Sequence, residues 1–401
     1  MNDKTTIATL VLTLGAGACI IQSDADTAAS SGAGGDAASG TGGMTTSAGG
    51  NGATTGQGGA APAGWTHLSH PCVGNRTDAL LVEDQLVWVG CGSTTVGFGL
   101  HLSEDGGRTW SEPTTAPAGA LDEFRVLDVS RGNDGQLYVA GTAPGGKMVM
   151  SLETSASPMA ATEVLNAGPT VDESFIAGTF RRRADGSALA ESLNGNGMLY
   201  RASDAVGPNG FQDGWQNARS FANGGSESFQ LLDMETHAGS FYGCGSTIAD
   251  TPKLFVPEAG AQEPFHMTVI ELDTYDGEMW SLDIAPDGQV IVGGVDQNRN
   301  VGMVYLGDPS VPSFDVFDLS TVLPESSTWV RGVCTNGTRA VVVGEFSQTS
   351  DPLLFTSTDG GTTWEELTPD AATAALSECI VFADGSFAVT GGDGYLGFYR
   401  P

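Results

Sequence analysis

The chain has 401 residues, with 48 acidic against 16 basic side chains and a formal charge of −32. That balance excludes binding to nucleic acid or to an anionic membrane surface, because phosphate-rich partners need Lys and Arg to displace their counterions. Charged residues make up only 16% and glycines number 58, which points to a loop-rich β protein beside a low-complexity segment.

The N-terminus comes first. Residues 5–18, TTIATLVLTLGAGA, follow Lys4 and are apolar or small. A bilayer-spanning helix needs about 20 residues, so this shorter stretch fits the apolar core of a secretory signal. It closes on Ala16-Gly17-Ala18-Cys19. That string resembles the lipobox of bacterial lipoproteins, with Ala16 where Leu is usual. The resemblance implies a signal over residues 1–19, acylation of Cys19, and an outer-membrane or cell-surface lipoprotein that meets the membrane only through its anchor. The alternative is an ordinary cleaved signal and a periplasmic or secreted protein. Residues 20–63 are almost wholly Ser, Gly, Ala, Thr, Asp and Asn and bury too little apolar surface to order themselves. A tether of about 40 such residues reaches ~35 Å.

Residues 64–401 carry a repeat. A polar turn pair followed by a short apolar run recurs with its second residue at Asp84, Gly135, Gly186, Gly239, Gly288, Gly337 and Gly385. The Asp-Gly and Asn-Gly pairs predict two-residue hairpin turns with both central residues at positive φ. The flanking runs alternate as strands do. Four strands per unit, seven times over, predict an all-β, seven-bladed β-propeller of antiparallel blades. The last unit stops at GYLGFYRP after three strands. Gly64-Trp65-Thr66-His67-Leu68 matches the outermost strand of other units and is expected to complete that blade and latch the ring.

Residues 103–110 read SEDGGRTW and residues 357–364 read STDGGTTW. Both match the Asp-box, Ser-x-Asp-x-Gly-x-Thr-Trp, and the chain is thereby similar to sialidase-like BNR-repeat propellers. The resemblance implies a structural turn between the two outer strands of a blade, built from Ser103, Asp105, Gly107 and Trp110 and from Ser357, Asp359, Gly361 and Trp364. A degenerate copy surrounds Asp213-Gly214-Trp215. Sialidases also carry three arginines that clamp a carboxylate, a Tyr/Glu pair and an Asp acid, with a Phe/Tyr-Arg-Ile-Pro motif supplying the first arginine. Phe124-Arg125-Val126-Leu127 lacks the Pro and lies in the second unit.

Two sets of candidate residues follow. Arg76, Arg125 and Arg331 fall near the starts of innermost strands, where a carboxylate clamp would form; the basic run Arg181-Arg182-Arg183 reads as ion pairs at the surface or between blades. Glu191, Glu345, Asp296 and Asp393 end second strands, placed for glycosidic chemistry on one face. A third pattern is recurrent: Phe124, Phe175, Phe229, Trp280 and Trp329 open innermost strands, with Asp122, Glu173, Glu227 and Glu278 two residues before the first four. Around one channel mouth these acids and aromatics suit a cation, an amine or a stacked sugar. Alternatively, the aromatics wedge between blades and the acids are solvated. Leu-Asp-Val/Met/Ile at Asp128, Asp233 and Asp283 places carboxylates in the channel wall or bonds them to neighbouring strands.

Blade positions suggest Cys72–Cys91 and Cys334–Cys379 disulfides and leave Cys244 free. No CxxC or His/Cys cluster calls for zinc, and no cofactor is expected. The reading is a monomer that presents its channel-mouth face to a glycan or protein, with an exo-acting, sialidase-like glycosidase as the alternative and a pure scaffold as the third.

Overall fold

A computed structural model describes residues 63–401, apart from 74–75, 93–96, 133, 167–176, 193–197, 202–214, 218–228, 248–250, 260–266, 312 and 325. The signal, Cys19 and nearly all of the tether therefore lie outside the described residues. Seven sheets follow one another along the chain, antiparallel except where Thr115–Ala116 runs parallel to Met159–Asn166 at the outer edge of the second. Their innermost strands are Arg76–Glu83, Arg125–Arg131, Ala177–Arg182, Phe229–His237, Gly277–Ile284, Thr328–Thr335 and Leu376–Val381. Each pairs with the strand after it, and the chain steps outward through the blade. The seventh blade takes its outermost strand, Gly64–Ser69, from the start of the domain, where Trp65 faces Tyr399 and Leu68 faces Leu396. The ring is thus closed by hydrogen bonds between its two ends. The described residues contain no α-helix, only a short 3-10 turn at Leu319–Thr321.

The hairpin turns differ from the two-residue form expected of Asp-Gly pairs. Among the seven repeat pairs, only Ala238-Gly239 has both residues at positive φ, 47° and 78°. In the third, fifth and seventh blades the loop is five residues long and closed by Arg183 N–H to Ser187 O, Ala285 N–H to Gln289 O and Phe382 N–H to Ser386 O. The Asp carboxylate there accepts the N–H two residues on, as Asp185 does from Ser187 and Asp384 from Ser386. An Asx turn thus replaces the left-handed Asp, and only the glycine needs positive φ.

Each innermost strand also slips register once near its start. The extra residues are Asp78, Leu127, Gly178, Leu232, Trp280, Arg331 and Ser377. Such bulges bend a strand and re-aim side chains. They also explain glycines in the second strands. A Cβ on Gly294 or Gly344 would stand 1.9 Å from the carbonyl oxygen of Glu278 or Trp329, just before the bulge. The core lies between successive blades. Phe180, Phe241, Phe255 and Phe387 are wholly buried there, among valines such as Val292, Val304 and Val342.

Both disulfides form as the blade positions suggest. Cys72 and Cys91 have Cα atoms 5.4 Å apart, and Cys334 and Cys379 have theirs 5.9 Å apart. Cys244 is free and buried.

Candidate functional site

The bulges of the fifth and sixth blades aim Trp280 and Arg331 at each other. The Arg331 guanidinium carbon lies 4.7 Å from the centre of the Trp280 ring and 4.6 Å from that of Trp329. The two indoles meet edge to face, 5.7 Å apart. Arg331 Nε donates to Glu345 Oε1 at 2.8 Å, and Nη2 bonds the same oxygen. Glu278 Oε2 accepts from Trp280 Nε1 at 2.8 Å. Asn300 Oδ1 accepts from Trp329 Nε1, and its amide donates to Ser347. Five sequence candidates, Glu278, Trp280, Trp329, Arg331 and Glu345, are therefore in one cluster at the channel mouth. Glu345 is buried, and both indoles are half-buried. An arginine held face-on between aromatic rings, with its charge matched by a carboxylate, is a rigid clasp. Its charge is already used.

The other candidates are dispersed. Asp296 is buried and bonded to Arg299, which also bridges to Asp318. Asp393 is exposed, at φ 56° in the turn before Tyr395. Asp122 is exposed in a turn closed by its own N–H to Gly119 O. Glu173, Glu227 and Phe175 lie outside the described residues. Arg76 opens its strand opposite Gly92. Arg125 takes the corresponding place opposite Thr142, one blade on, and crowds Gly92 together with the Asp78 carboxylate. Arg331, by contrast, is the bulge residue of the sixth blade, two positions deeper.

The aromatic recurrence is likewise not one ring. Phe124 lies three residues before its bulge and is fully buried in the core between the first two blades. Trp329 lies two residues before its bulge, and Trp280 is the bulge itself. Equal spacing in sequence thus maps onto unequal places in the fold.

Deeper in the channel wall, the recurrent aspartates bond the next blade. Asp128 accepts from Phe180 N–H at 2.9 Å, Asp233 from Leu282 N–H at 2.8 Å and Asp283 from Thr335 N–H at 2.6 Å. Arg181 joins them, reaching Asp128 at 2.5 Å and Glu235 at 2.6 Å. One guanidinium of the third blade thereby ties the second to the fourth. Its role was hidden within a basic run of three. Burial pushes the Asp233 carboxyl up, against the pull of Arg181, and pushes Asp283 up, with Glu235 adding to it. Glu191 is 2% exposed, and neither carboxyl oxygen has a hydrogen-bond partner among the described residues. Burial and the nearby Asp233 charge hold its pKa well above the usual carboxylate range. Burial also raises the Cys244 thiol, the reverse of what a nucleophile needs.

The two Ser-x-Asp segments repeat one hydrogen-bond scheme. Ser103 Oγ bonds Asp105 and accepts Gly107 N–H at 2.7 Å; Ser357 does the same with Asp359 and with Gly361 at 2.8 Å. Asp105 accepts from Thr109 through both N–H and hydroxyl, and Asp359 accepts likewise from Thr363. These bonds lower Asp105 to about 2. Each tryptophan then reaches the preceding blade's outermost strand. Trp110 Nε1 donates to Ser69 O at 2.8 Å, and Trp364 stacks on Phe317. Trp215 behaves similarly, donating to Val164 O at 3.1 Å, while Asp213 and Gly214 lie outside the described residues. All three tryptophans are clips between blades.

No protein-family model matches the chain, and no curated protein matches it. Solved structures do. "YCF48 from Cyanidioschyzon merolae" matches at 14% identity and TM-score 0.57, over 84% of this chain and 99% of that one. A structure described as YCF48 bound to D1 peptide matches at 14% identity and TM-score 0.55, over 84% and 97%. A catalytically inactive virginiamycin B lyase from Staphylococcus aureus matches at 12% identity and TM-score 0.57, over 84% and 99%. At such identities the likeness establishes the propeller fold, and these neighbours include both enzymes and non-enzymatic propellers.

Proposed function

We propose that this protein is an exported Asp-box propeller that holds a protein or glycan ligand at its channel mouth without converting it. Acylated Cys19 and the 20–63 tether display it from a membrane. One observation carries the binding reading: Arg331 and Glu345, the candidate catalytic groups at the mouth, are spent on each other, while the indoles of Trp280 and Trp329 stay half-exposed. A rigid, partly solvated indole pair is a contact surface of the kind that dominates binding energy. The charge of −32 favours a partner with basic side chains. A protein ligand also agrees with the fold neighbour described as bound to a peptide.

The sialidase-like alternative has less support. It needs an arginine triad beside a nucleophile, whereas Arg331 is paired with Glu345 and Glu191 is buried with its carboxyl pushed up by desolvation. The test uses residues 20–401 on peptide and glycan arrays and against fluorogenic glycosides, sialosides included. Binding that is lost in Trp329→Ala, with no turnover, supports the reading. Turnover abolished by Glu345→Gln or Arg125→Lys overturns it.

A further inference from the structure

The face opposite the channel mouth carries the hairpin turns. There, at the seam of the sixth and seventh blades, lies a cavity of about 410 Å³. Arg339 and Thr338 line it from one turn, Thr358 from the outer turn of the same blade, and Asp384 and Gly385 from the next blade. The volume falls within the range of small-molecule sites, roughly 300–1,000 Å³.

Arg339 is 8% exposed. Its backbone is tied down, since Asn336 Oδ1 accepts its N–H at 2.8 Å and its carbonyl accepts the Thr335 hydroxyl at 3.0 Å. The guanidinium lies against the Phe387 ring, 5.8 Å from its centre. Its side-chain hydrogen bonding among the described residues is a single donation, Nη1 to Thr356 Oγ1 at 3.2 Å. No carboxylate among the described residues forms an ion pair with it. Asp384, on the same wall, is turned to the N–H and hydroxyl of Ser386. Ser386 and, more weakly, Arg400 hold that carboxyl below its ordinary value. A guanidinium has five N–H donors in a planar fork. With no counter-ion among the described residues, its remaining donors are open to an acceptor in the cavity. The matching residues of other blades carry no charge: Gln136, Ser187, Gln289 and Ser386 each precede the second strand.

We infer that this seam binds a small polar carboxylate, whose anionic group pairs with the Arg339 fork and whose neutral remainder meets the Thr338 and Thr358 hydroxyls. Carboxylate matches the fork bidentately. A single negative charge suits a protein of charge −32, which repels polyanions at long range. The carboxylate comes from a sugar acid or from a peptide terminus, and two probes separate these sources.

The experiment is calorimetric titration of residues 20–401 with D-glucuronate and with N-acetylglycine, using D-glucose and N-acetylglycinamide as uncharged controls. One or both acids bind and neither control does; the tighter acid names the source. Arg339→Ala weakens binding more than tenfold, as expected for a lost hydrogen bond to a charged group, and Arg339→Lys weakens it less. Thr358→Trp, a change at the exposed rim, fills the cavity and blocks binding without touching Arg339. Trp329→Ala, on the opposite face, leaves it unchanged. No binding of either acid at millimolar concentration to the folded protein overturns the proposal. So does equal binding of acids and controls, or unchanged affinity in both Arg339→Ala and Thr358→Trp.

Discussion

Trp364 of the sixth blade lies parallel to Phe317 of the fifth, with ring centroids 4.7 Å apart and planes 5° from parallel. Trp110 makes the corresponding contact between the first blade and the seventh, but through a hydrogen bond to Ser69 O. The two positions should therefore respond differently to the same change. Trp364 Nε1 has no hydrogen-bond partner among the described residues, so Trp364→Phe keeps the stack and costs less than ~1 kcal/mol. Trp110→Phe loses an exposed hydrogen bond to Ser69 O, whose place water takes, and costs about 0.5–1.5 kcal/mol. Trp364→Ala loses the stack and about 2 kcal/mol, at the low end for a large aromatic because the ring is half-exposed. Urea denaturation midpoints check this order.

The disulfides act at different levels of the ring. Cys334–Cys379 joins the innermost strands of two blades across 45 residues, and Cys72–Cys91 spans 19 within the first blade. Loop-closure entropy assigns them about 4 and about 3 kcal/mol. Cys334→Ser/Cys379→Ser should lower stability more than Cys72→Ser/Cys91→Ser. In unreduced, denatured residues 20–401, alkylation followed by mass analysis should label Cys244 alone. In the folded protein Cys244 should resist labelling, because it is fully buried.

Much of this architecture is legible in the sequence, for a physical reason. Turn residues and alternating apolar runs are local signals, and their seven-fold recurrence leaves few folds to choose from. Blade position suggests the disulfides, and the Cα separations decide them. The channel mouth is harder to read because each bulge depends on backbone register, which no residue type announces. Relative to the bulge, Trp280 and Trp329 stand two residues apart, so acids and aromatics that repeat in sequence do not form one collar. Arg181 and Arg339 are concealed differently. The first looks like one of three basic residues and the second like an ordinary turn residue. Only the packing of neighbouring blades gives one two carboxylates and the other, among the described residues, none.

His70 sits where the ring closes. It is 3% exposed; its Nδ1 accepts the Cys72 N–H at 3.2 Å, and its Nε2 faces Thr77 and Thr390 hydroxyls at 3.1 and 3.0 Å. Thr77 in turn bonds Gly391 O, linking the first blade to the seventh. Burial lowers His70 from 6.5 to about 4. The folded state therefore takes up its proton later than the unfolded state as pH falls. The contribution of neutral His70 is complete above pH 6.5 and is lost progressively between 6.5 and 4, about 3 kcal/mol in all. Denaturation midpoints measured from pH 7.5 to pH 4 should fall in the wild type and fall much less steeply in His70→Gln. Parallel slopes would show that acid sensitivity arises elsewhere.

The Arg331–Glu345 pair offers the sharpest separation of a structural clasp from a catalytic site. Both side chains are about nine-tenths buried, so removing one partner leaves the other charged and desolvated. Glu345→Ala should cost about 3–5 kcal/mol, in the range for a broken buried pair. The double change Arg331→Met/Glu345→Leu removes both charges and keeps apolar bulk between the indoles, and should recover most of that loss. The fluorescence of Trp280 and Trp329 gives a local readout, since the guanidinium over each ring is present in the wild type and absent in the double variant. If the pair serves as a clasp, ligand binding at the mouth survives in the double variant with an altered emission spectrum. If the two residues act on a substrate, stability recovers and function does not.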